Sequence, residues 1–340
     1  MFKIVFSSAI ALLLTVDAAR ADSIGFRMTS VNPGGTRPLN VALWYPTNDP
    51  GTAKIVGENR VFYGISALEN STPKAGLFPL VVLSHGDGGS WRNLSWLAGE
   101  LVNAGYVVVA PDHPGTTTFN RDPAQSATLW ERPRDLSRSI DAVLADATLA
   151  GQIDPDRIAA IGHSLGGWTV AALAGARFDP AQFARDCRDN RILRACALSA
   201  GLGLDRPEIS QNMHDPRIRA FVSLDLGLAR GFTPESLAQV NAPGLIFGAG
   251  VDVEDMPADL ESGWLAEHLP AQTSQLVIIP EAMHFSFMQL CKPGAEEILE
   301  GEMPGDGILC RDGGDRPRAV IHEEIATTVI GFLSKALLVQ

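Results

Sequence analysis

Gly162-His163-Ser164-Leu165-Gly166 separates two stretches of different character. Residues 157–161 before it form a short apolar run with the length of a buried strand. Residues 165–176 after it are small and apolar and read as a helix. A G-x-S-x-G between a strand and a helix imposes a sharp turn that lifts the serine hydroxyl above a sheet. The two outer glycines leave out side chains where the strand and helix backbones would collide. Five residues of pattern are unspecific by themselves; the strand before and the helix after give them structural meaning. Gly167 extends the run.

The rest of the chain supplies strands and helices in alternation around that turn. Residues 24–31 and 39–45, separated by Asn32-Pro33-Gly34-Gly35, read as an antiparallel pair at the edge of a sheet. Residues 49–74 form a polar excursion with room for one further short hairpin. Residues 78–83 and 106–110 are continuous apolar runs, as expected of strands buried on both faces. Leu94, Leu97 and Leu101 recur at helical spacing, as do Leu136, Ile140, Val143, Leu144 and Ala147. Residues 217–224, 244–247 and 275–279 continue the strands, residues 233–240 and 258–269 the helices, and residues 318–338 form a closing amphipathic helix. This alternation, with short turns, predicts an α/β fold with a mainly parallel sheet covered by helices on both faces. One stretch breaks it: residues 178–215 are rich in Arg and Asp, hold two cysteines, and read as a small cap inserted over the sheet.

Residues 1–21 read as a signal peptide, with Lys3 ahead of an apolar run and Ala19-Arg20-Ala21 as the cleavage site. The run is too short to span a bilayer. Residues 22–340 then form one large domain, and the expected location is secreted or periplasmic. Removing Lys3, Arg20 and Asp17 from the totals leaves 25 basic and 38 acidic residues, a net charge of −13. That balance works against nucleic acids and anionic membranes as partners. Cys187, Cys196, Cys291 and Cys310 are even in number in a chain expected to meet an oxidising compartment, so disulfides are predicted. Of the three possible pairings, the local one, Cys187–Cys196 with Cys291–Cys310, avoids crossing the core. There is no C-x-x-C, and no His/Cys spacing suggests zinc.

A serine nucleophile needs a base, an acid that orients the base, and donors for the oxyanion. Among seven histidines, His284 stands in the loop after the final strand and is the expected base. His163 adjoins the serine but would point the other way along the turn. His113 follows a strand and is expected behind the site, His214 falls in a polar turn, and His268 and His322 are expected on solvated helix faces. Two aspartates end successive strands before His284. Asp252 is the expected acid and Asp225 the alternative; both preserve the order serine, acid, histidine. Glu254 and Asp255 are close outsiders. The backbone N–H of Leu165 is the expected first oxyanion donor. The second is expected from Asp87, in the Ser84-His85-Gly86-Asp87 segment, with its carboxylate turned away from the developing charge. Trp91, Trp168, Met283, Phe285 and Phe287 are candidates for a pocket lining and equally for plain core.

The stretches Leu83-Ser84-His85-Gly86, Gly162-His163-Ser164-Leu165-Gly166-Gly167, Val222-Ser223-Leu224-Asp225 and Met283-His284-Phe285-Ser286-Phe287 together resemble the α/β-hydrolase superfamily. More narrowly, the chain resembles bacterial esterases grouped with platelet-activating-factor acetylhydrolase and with predicted dienelactone hydrolases. Dienelactone hydrolases proper carry cysteine where Ser164 stands. The resemblance to the acetylhydrolases implies an acid after the earlier strand, at Asp225; most of the superfamily implies the later one, at Asp252. The activity expected is that of a secreted carboxylester hydrolase acting on a small ester through an acyl-enzyme, with no metal or organic cofactor. A lipase, lactonase or peptidase on the same fold, or a non-catalytic binding protein, are the alternatives.

Overall fold

The computed structural model describes residues 23–191, 193–253 and 255–338. The expected leader and Glu254 lie outside them. The strands are β1 (Ser23–Val31), β2 (Leu39–Thr47), β3 (Lys54–Val56), β4 (Ile65–Glu69), β5 (Leu77–Ser84), β6 (Val107–Pro111), β7 (Gln152–His163), β8 (Ile218–Leu224), β9 (Gly244–Ala249) and β10 (Ser274–Ile279). They form one sheet in the order β10-β9-β8-β7-β5-β6-β2-β1-β4-β3. From β10 to β6 every pairing is parallel. β2 then runs antiparallel to β6, and β1 antiparallel to β2.

The β1–β2 pair does not end the sheet, as its sequence suggested. β4 adds to β1 through Gly25–Leu68 and Phe26–Glu69, and β3 pairs antiparallel with β4. The free edge of β1 would otherwise leave backbone donors and acceptors unpaired, and the hairpin from the polar excursion covers it.

The central strands carry apolar runs, 80–83, 107–110 and 158–161, because the sheet has a core on each side. Leu80 and Val82 of β5, Val107 and Val109 of β6, and Ile158 and Ala160 of β7 face one core. There they meet Leu136 and Ile140 of the helix Glu131–Ala145, and Leu165 and Trp168 of the helix Leu165–Ala174. Val81, Leu83, Val108, Ala159 and Ile161 face the other core, against the helices Ser95–Asn103 and Arg318–Ala336. The two-residue period of a strand makes this division automatic.

Residues 178–215 leave the sheet and fold into short helical segments, Pro180–Asp189, Arg194–Ala197, Ser199–Leu202 and Pro207–Ser210. A Cys187–Cys196 disulfide ties the first two together. Arg194 pairs with Asp255 after β9, and Arg230 after β8 pairs with Asp186, at 3.2 and 2.7 Å. The segment is thus fastened to loops at the carboxyl ends of the strands. A second disulfide, Cys291–Cys310, lies downstream of β10.

The order β7-β5-β6 means that the chain leaves β5 in one direction and returns on its other side. At such a reversal the carboxyl ends of adjacent strands open a crevice, the place where open α/β sheets hold ligands. Ser164 follows β7 and His85-Gly86 follows β5, so both flank that crevice.

Candidate active site

Ser164 sits at φ 56°, ψ −121°, a backbone state that a residue with a side chain adopts only under constraint. The constraint is visible on all sides. Its N–H donates to the Leu224 carbonyl at 3.0 Å, and its own carbonyl accepts from Gly167 N–H at 2.8 Å, starting the helix. A Cβ on Gly162 would overlap the Gly166 carbonyl, and a Cβ on Gly166 would overlap the Ser84 carbonyl. The glycines therefore let the helix start lie directly on the ends of β5 and β7. A Cβ on Gly86 would come within 3.1 Å of Ser164 Cβ, so the loop after β5 runs directly alongside the serine.

His284 begins a one-turn 3-10 helix, His284–Phe287, just after β10. Its Nε2 lies 3.0 Å from Ser164 Oγ and its Nδ1 2.6 Å from Asp225 Oδ2. The turn is held from several directions. Ser286 Oγ accepts from Met283 N–H and donates to Asp312, which pairs with Arg318. Trp96 Nε1–H donates to the Phe287 carbonyl at 3.0 Å, and His163 Nε2–H donates to the His284 carbonyl at 2.8 Å. His284 is 3 % exposed, so its ring has little freedom to leave this position.

The carboxylate bonded to the ring is that of Asp225, the alternative of the sequence reading, and not that of Asp252, which was favoured there. Asp225 is the first residue after β8, the strand adjacent to the one that carries Ser164. Its N–H donates to the Phe247 carbonyl and its Oδ1 accepts from Ala249 N–H at 2.8 Å, so β9 holds it in place. Asp252 lies three residues beyond β9 and is exposed. Its Oδ1 accepts from Ala258 N–H at 2.8 Å, closing a loop after β9. The signal for Asp225 was its position directly on a strand end, where ladder groups are available to anchor a carboxylate.

Leu165 opens its helix, so its N–H has no acceptor within the helix. The Asp87 carboxylate is paired with Arg121 at 3.2 Å.

The remaining histidines separate by burial. His163 is buried, 4.8 Å from the His284 ring. Burial, with His284 and Arg318 nearby, pushes its pKa down to about 3. His113 is buried behind the loop after β5, and His214 is exposed. His268 is half-buried against Trp264. His322 departs from expectation: it is buried, stacked on Trp96 at 3.7 Å, with Nε2–H on the Ser286 carbonyl. Burial lowers its pKa to about 3. Among the five candidate lining residues, Trp168, Trp91 and Phe287 are core, while Met283 and Phe285 are half-buried beside His284. The grouping of Asp186 with Cys187 and Cys196 offers no thiolate to a metal, because its two sulfurs are bonded to each other.

A family model described as the alpha/beta hydrolase family matches residues 81–293, a span that includes Ser164, Asp225 and His284. Cutinase est2 of Thermobifida alba is 33% identical over 113 residues, a third of each chain. Cutinase 2 of Thermobifida cellulosilytica is 32% identical over 113 residues, spanning 33% of this chain and 38% of the relative. The chain therefore aligns with only about a third of the length of these relatives. Among solved structures, a ferulic acid esterase from Streptomyces cinnamoneus superposes with a TM-score of 0.64 at 20% identity, over 93% of this chain and 91% of that one.

Proposed function

The chain belongs to the alpha/beta hydrolase family, and from that premise we propose that it is an exported serine hydrolase that cleaves carboxylic esters through Ser164, His284 and Asp225. The single observation that carries this is the continuous hydrogen-bonded line from Ser164 Oγ through both ring nitrogens of His284 to Asp225, at 3.0 and 2.6 Å. Ser164 Oγ attacks the ester carbonyl while His284 Nε2 takes its proton. Asp225 holds the ring in the Nδ1–H tautomer and stabilises the imidazolium. The oxygen of the tetrahedral intermediate accepts from the N–H groups of Leu165 and Asp87. Collapse expels the alcohol, which takes the proton from Nε2. Water, deprotonated by His284, then releases the acid from Ser164.

The cutinase and ferulic acid esterase relatives support the ester bond as the target. An acid after β8 fits the likeness to the acetylhydrolases. Half-buried Met283 and Phe285 beside His284 suit an apolar acyl or alcohol group. The two disulfides, with the signal-like leader, support export to an oxidising compartment. Residues 178–215, fastened over the strand ends, suit a cap on the crevice. No helix among the described residues is long and apolar enough to cross a membrane.

The test is hydrolysis of p-nitrophenyl esters of graded acyl length beside the matching anilides, with fluorophosphonate labelling of wild type and Ser164→Ala. Turnover of esters and labelling, both lost in Ser164→Ala, are expected. A wild type that neither labels nor turns over would favour a binding protein, and faster cleavage of anilides would favour a peptidase.

A further inference from the structure

Behind the loop that flanks Ser164, a second serine, histidine and aspartate are bonded in the same order. Ser84 Oγ lies 2.9 Å from His113 Nε2, and His113 Nδ1 lies 3.0 Å from Asp135 Oδ2. All three residues are 0 % exposed, and Arg132 Nη2 donates to Ser84 Oγ. A substrate has no route to that hydroxyl, so the relay is not a second nucleophilic site. It does end on the loop beside Ser164.

The protons of the relay can be placed one at a time. Burial works against the Asp135 carboxylate, but hydrogen bonds from His113 and Arg37 hold its pKa well below the usual range. A carboxylate only accepts, so His113 carries its proton on Nδ1. Burial and Arg132 keep that imidazole neutral, with a pKa down to about 3, so Nε2 is bare and accepts from Ser84. The backbone N–H of His113 in turn donates to His85 Nε2 at 3.0 Å. That nitrogen is therefore an acceptor, and the neutral His85 ring carries its proton on Nδ1. From there it donates to the Gly86 carbonyl at 2.7 Å. Gly89 N–H reaches the same carbonyl at 3.2 Å, and Arg132 holds the carbonyl of His85. The Gly86–Asp87 peptide is trans, so its N–H points opposite to its carbonyl. Holding one fixes the other.

We propose that His85, aligned by the Ser84–His113–Asp135 relay, is a positioning residue that sets the orientation of the Gly86–Asp87 peptide and thereby aims the second oxyanion donor at the substrate. This rests on the serine-esterase function given above. A donor that acts only once the tetrahedral oxygen forms stabilises the transition state and not the bound ester, so its misorientation lowers kcat and leaves KM in place. Loss of one oxyanion donor costs about 10²–10³ in kcat. An asparagine at position 85 can offer an amide N–H where the ring offers Nδ1–H, whereas leucine offers none.

The experiment measures kcat, KM and thermal midpoint on a short p-nitrophenyl ester for the full mature chain and for His85→Leu, His85→Asn, Ser84→Ala and Ser164→Ala. His85→Leu is expected to lower kcat by about 10² with KM within about twofold, and His85→Asn to recover to within about tenfold of wild type. Ser84→Ala, a small change that is compatible with folding, is expected to lower kcat by about tenfold at constant KM because His113 Nε2 loses the hydroxyl that holds its ring in place. Folded His85→Leu with wild-type kcat, or Ser84→Ala with wild-type kcat, would overturn the proposal while leaving the esterase function intact. A fall in kcat that tracks the thermal midpoint alone, with no recovery in His85→Asn, would overturn it in favour of a purely structural role. Ester turnover that survives Ser164→Ala would remove the esterase function, and this proposal with it.

Discussion

Asp225 Oδ2 and His284 Nδ1 lie 2.6 Å apart although 59 residues separate them in the chain. Asp252, closer in sequence to His284, spends its carboxylate on the N–H of Ala258 instead. Replacing Asp225 with asparagine keeps the shape but offers the ring an ambiguous partner, so the wrong tautomer can face Ser164. In a comparable serine triad that change lowers kcat by about 10⁴. Asp225→Asn is expected to lose about that much ester turnover, and Asp252→Asn less than about threefold. Steady-state kinetics on one activated ester, run on both variants, checks this; the reverse ranking would return the acid to Asp252.

Gly166 is where the helix start presses on the end of β5. A Cβ there would overlap backbone atoms of Ser84 and His85, which cannot move aside as a flexible side chain would. Gly166→Ala is therefore expected to destabilise by about 3 kcal/mol or more, as overpacking against a rigid neighbour does. Gly331 is the control. It lies within the helix Arg318–Ala336 with nothing within 4 Å of an added Cβ, so Gly331→Ala should stabilise by about 0.5–1 kcal/mol. Urea unfolding of the two variants should give shifts of opposite sign.

What the sequence made legible was local, and what it hid was long-range. Strands β5, β6 and β7 could be read because burial on both faces leaves their central residues, 80–83, 107–110 and 158–161, continuously apolar. The Ser164 turn could be read because its glycines are demanded by neighbours within a few residues. The choice between Asp225 and Asp252 depended on where the turn after β10 comes to rest, and a strand-end aspartate carries no mark of that. The β3–β4 hairpin was foreseen in outline, but its addition to β1 was not, because the pairing involves an edge whose freedom is a property of the whole sheet. His322 was expected on a solvated face, although Ile321, Ile325 and Val329 beside it on the helix are apolar at helical spacing and are buried. The Ser84–His113–Asp135 relay left no local trace, since its members lie on three separate elements.

The Cys291–Cys310 bond closes a loop of 19 residues directly after the His284 turn. Its contribution by loop-closure entropy is about 3 kcal/mol, and that of the nine-residue Cys187–Cys196 loop slightly less. Arg318 binds the Leu309 carbonyl within the larger loop and also Asp312, which holds Ser286 of the His284 turn. The Cys291→Ala/Cys310→Ala pair is accordingly expected to lower both the thermal midpoint and ester turnover. The Cys187→Ala/Cys196→Ala pair should lower the midpoint with a smaller effect on kcat. Equal effects of the two pairs on kcat would show that the first disulfide does not support the His284 turn.

Stability should fall on the acid side of neutrality, and the sign follows from which groups take up protons only on unfolding. Burial holds His113, His163 and His322 near a pKa of about 3, and lowers His85 well below its usual value. In the unfolded chain each returns to about 6.5. Between these values the unfolded state binds four more protons at these sites. Two acids oppose the trend: burial raises Asp112 to about 6 and Glu261 to about 7, so the native state holds two protons there that the unfolded chain releases. Four outweigh two, so near pH 5 the unfolded state binds more protons and stability rises with pH. The stabilisation is complete above about pH 7 and is lost progressively as pH falls toward 3. Urea midpoints at pH 8, 7, 6 and 5 should decline in that order, most steeply below about pH 6. His322 donates to the Ser286 carbonyl and stacks on Trp96, and glutamine keeps an N–H donor there without a group that titrates, so His322→Gln should flatten the decline by about one proton. A midpoint that stays level or rises from pH 7 to 5 would mean that these imidazoles are not held neutral by the fold.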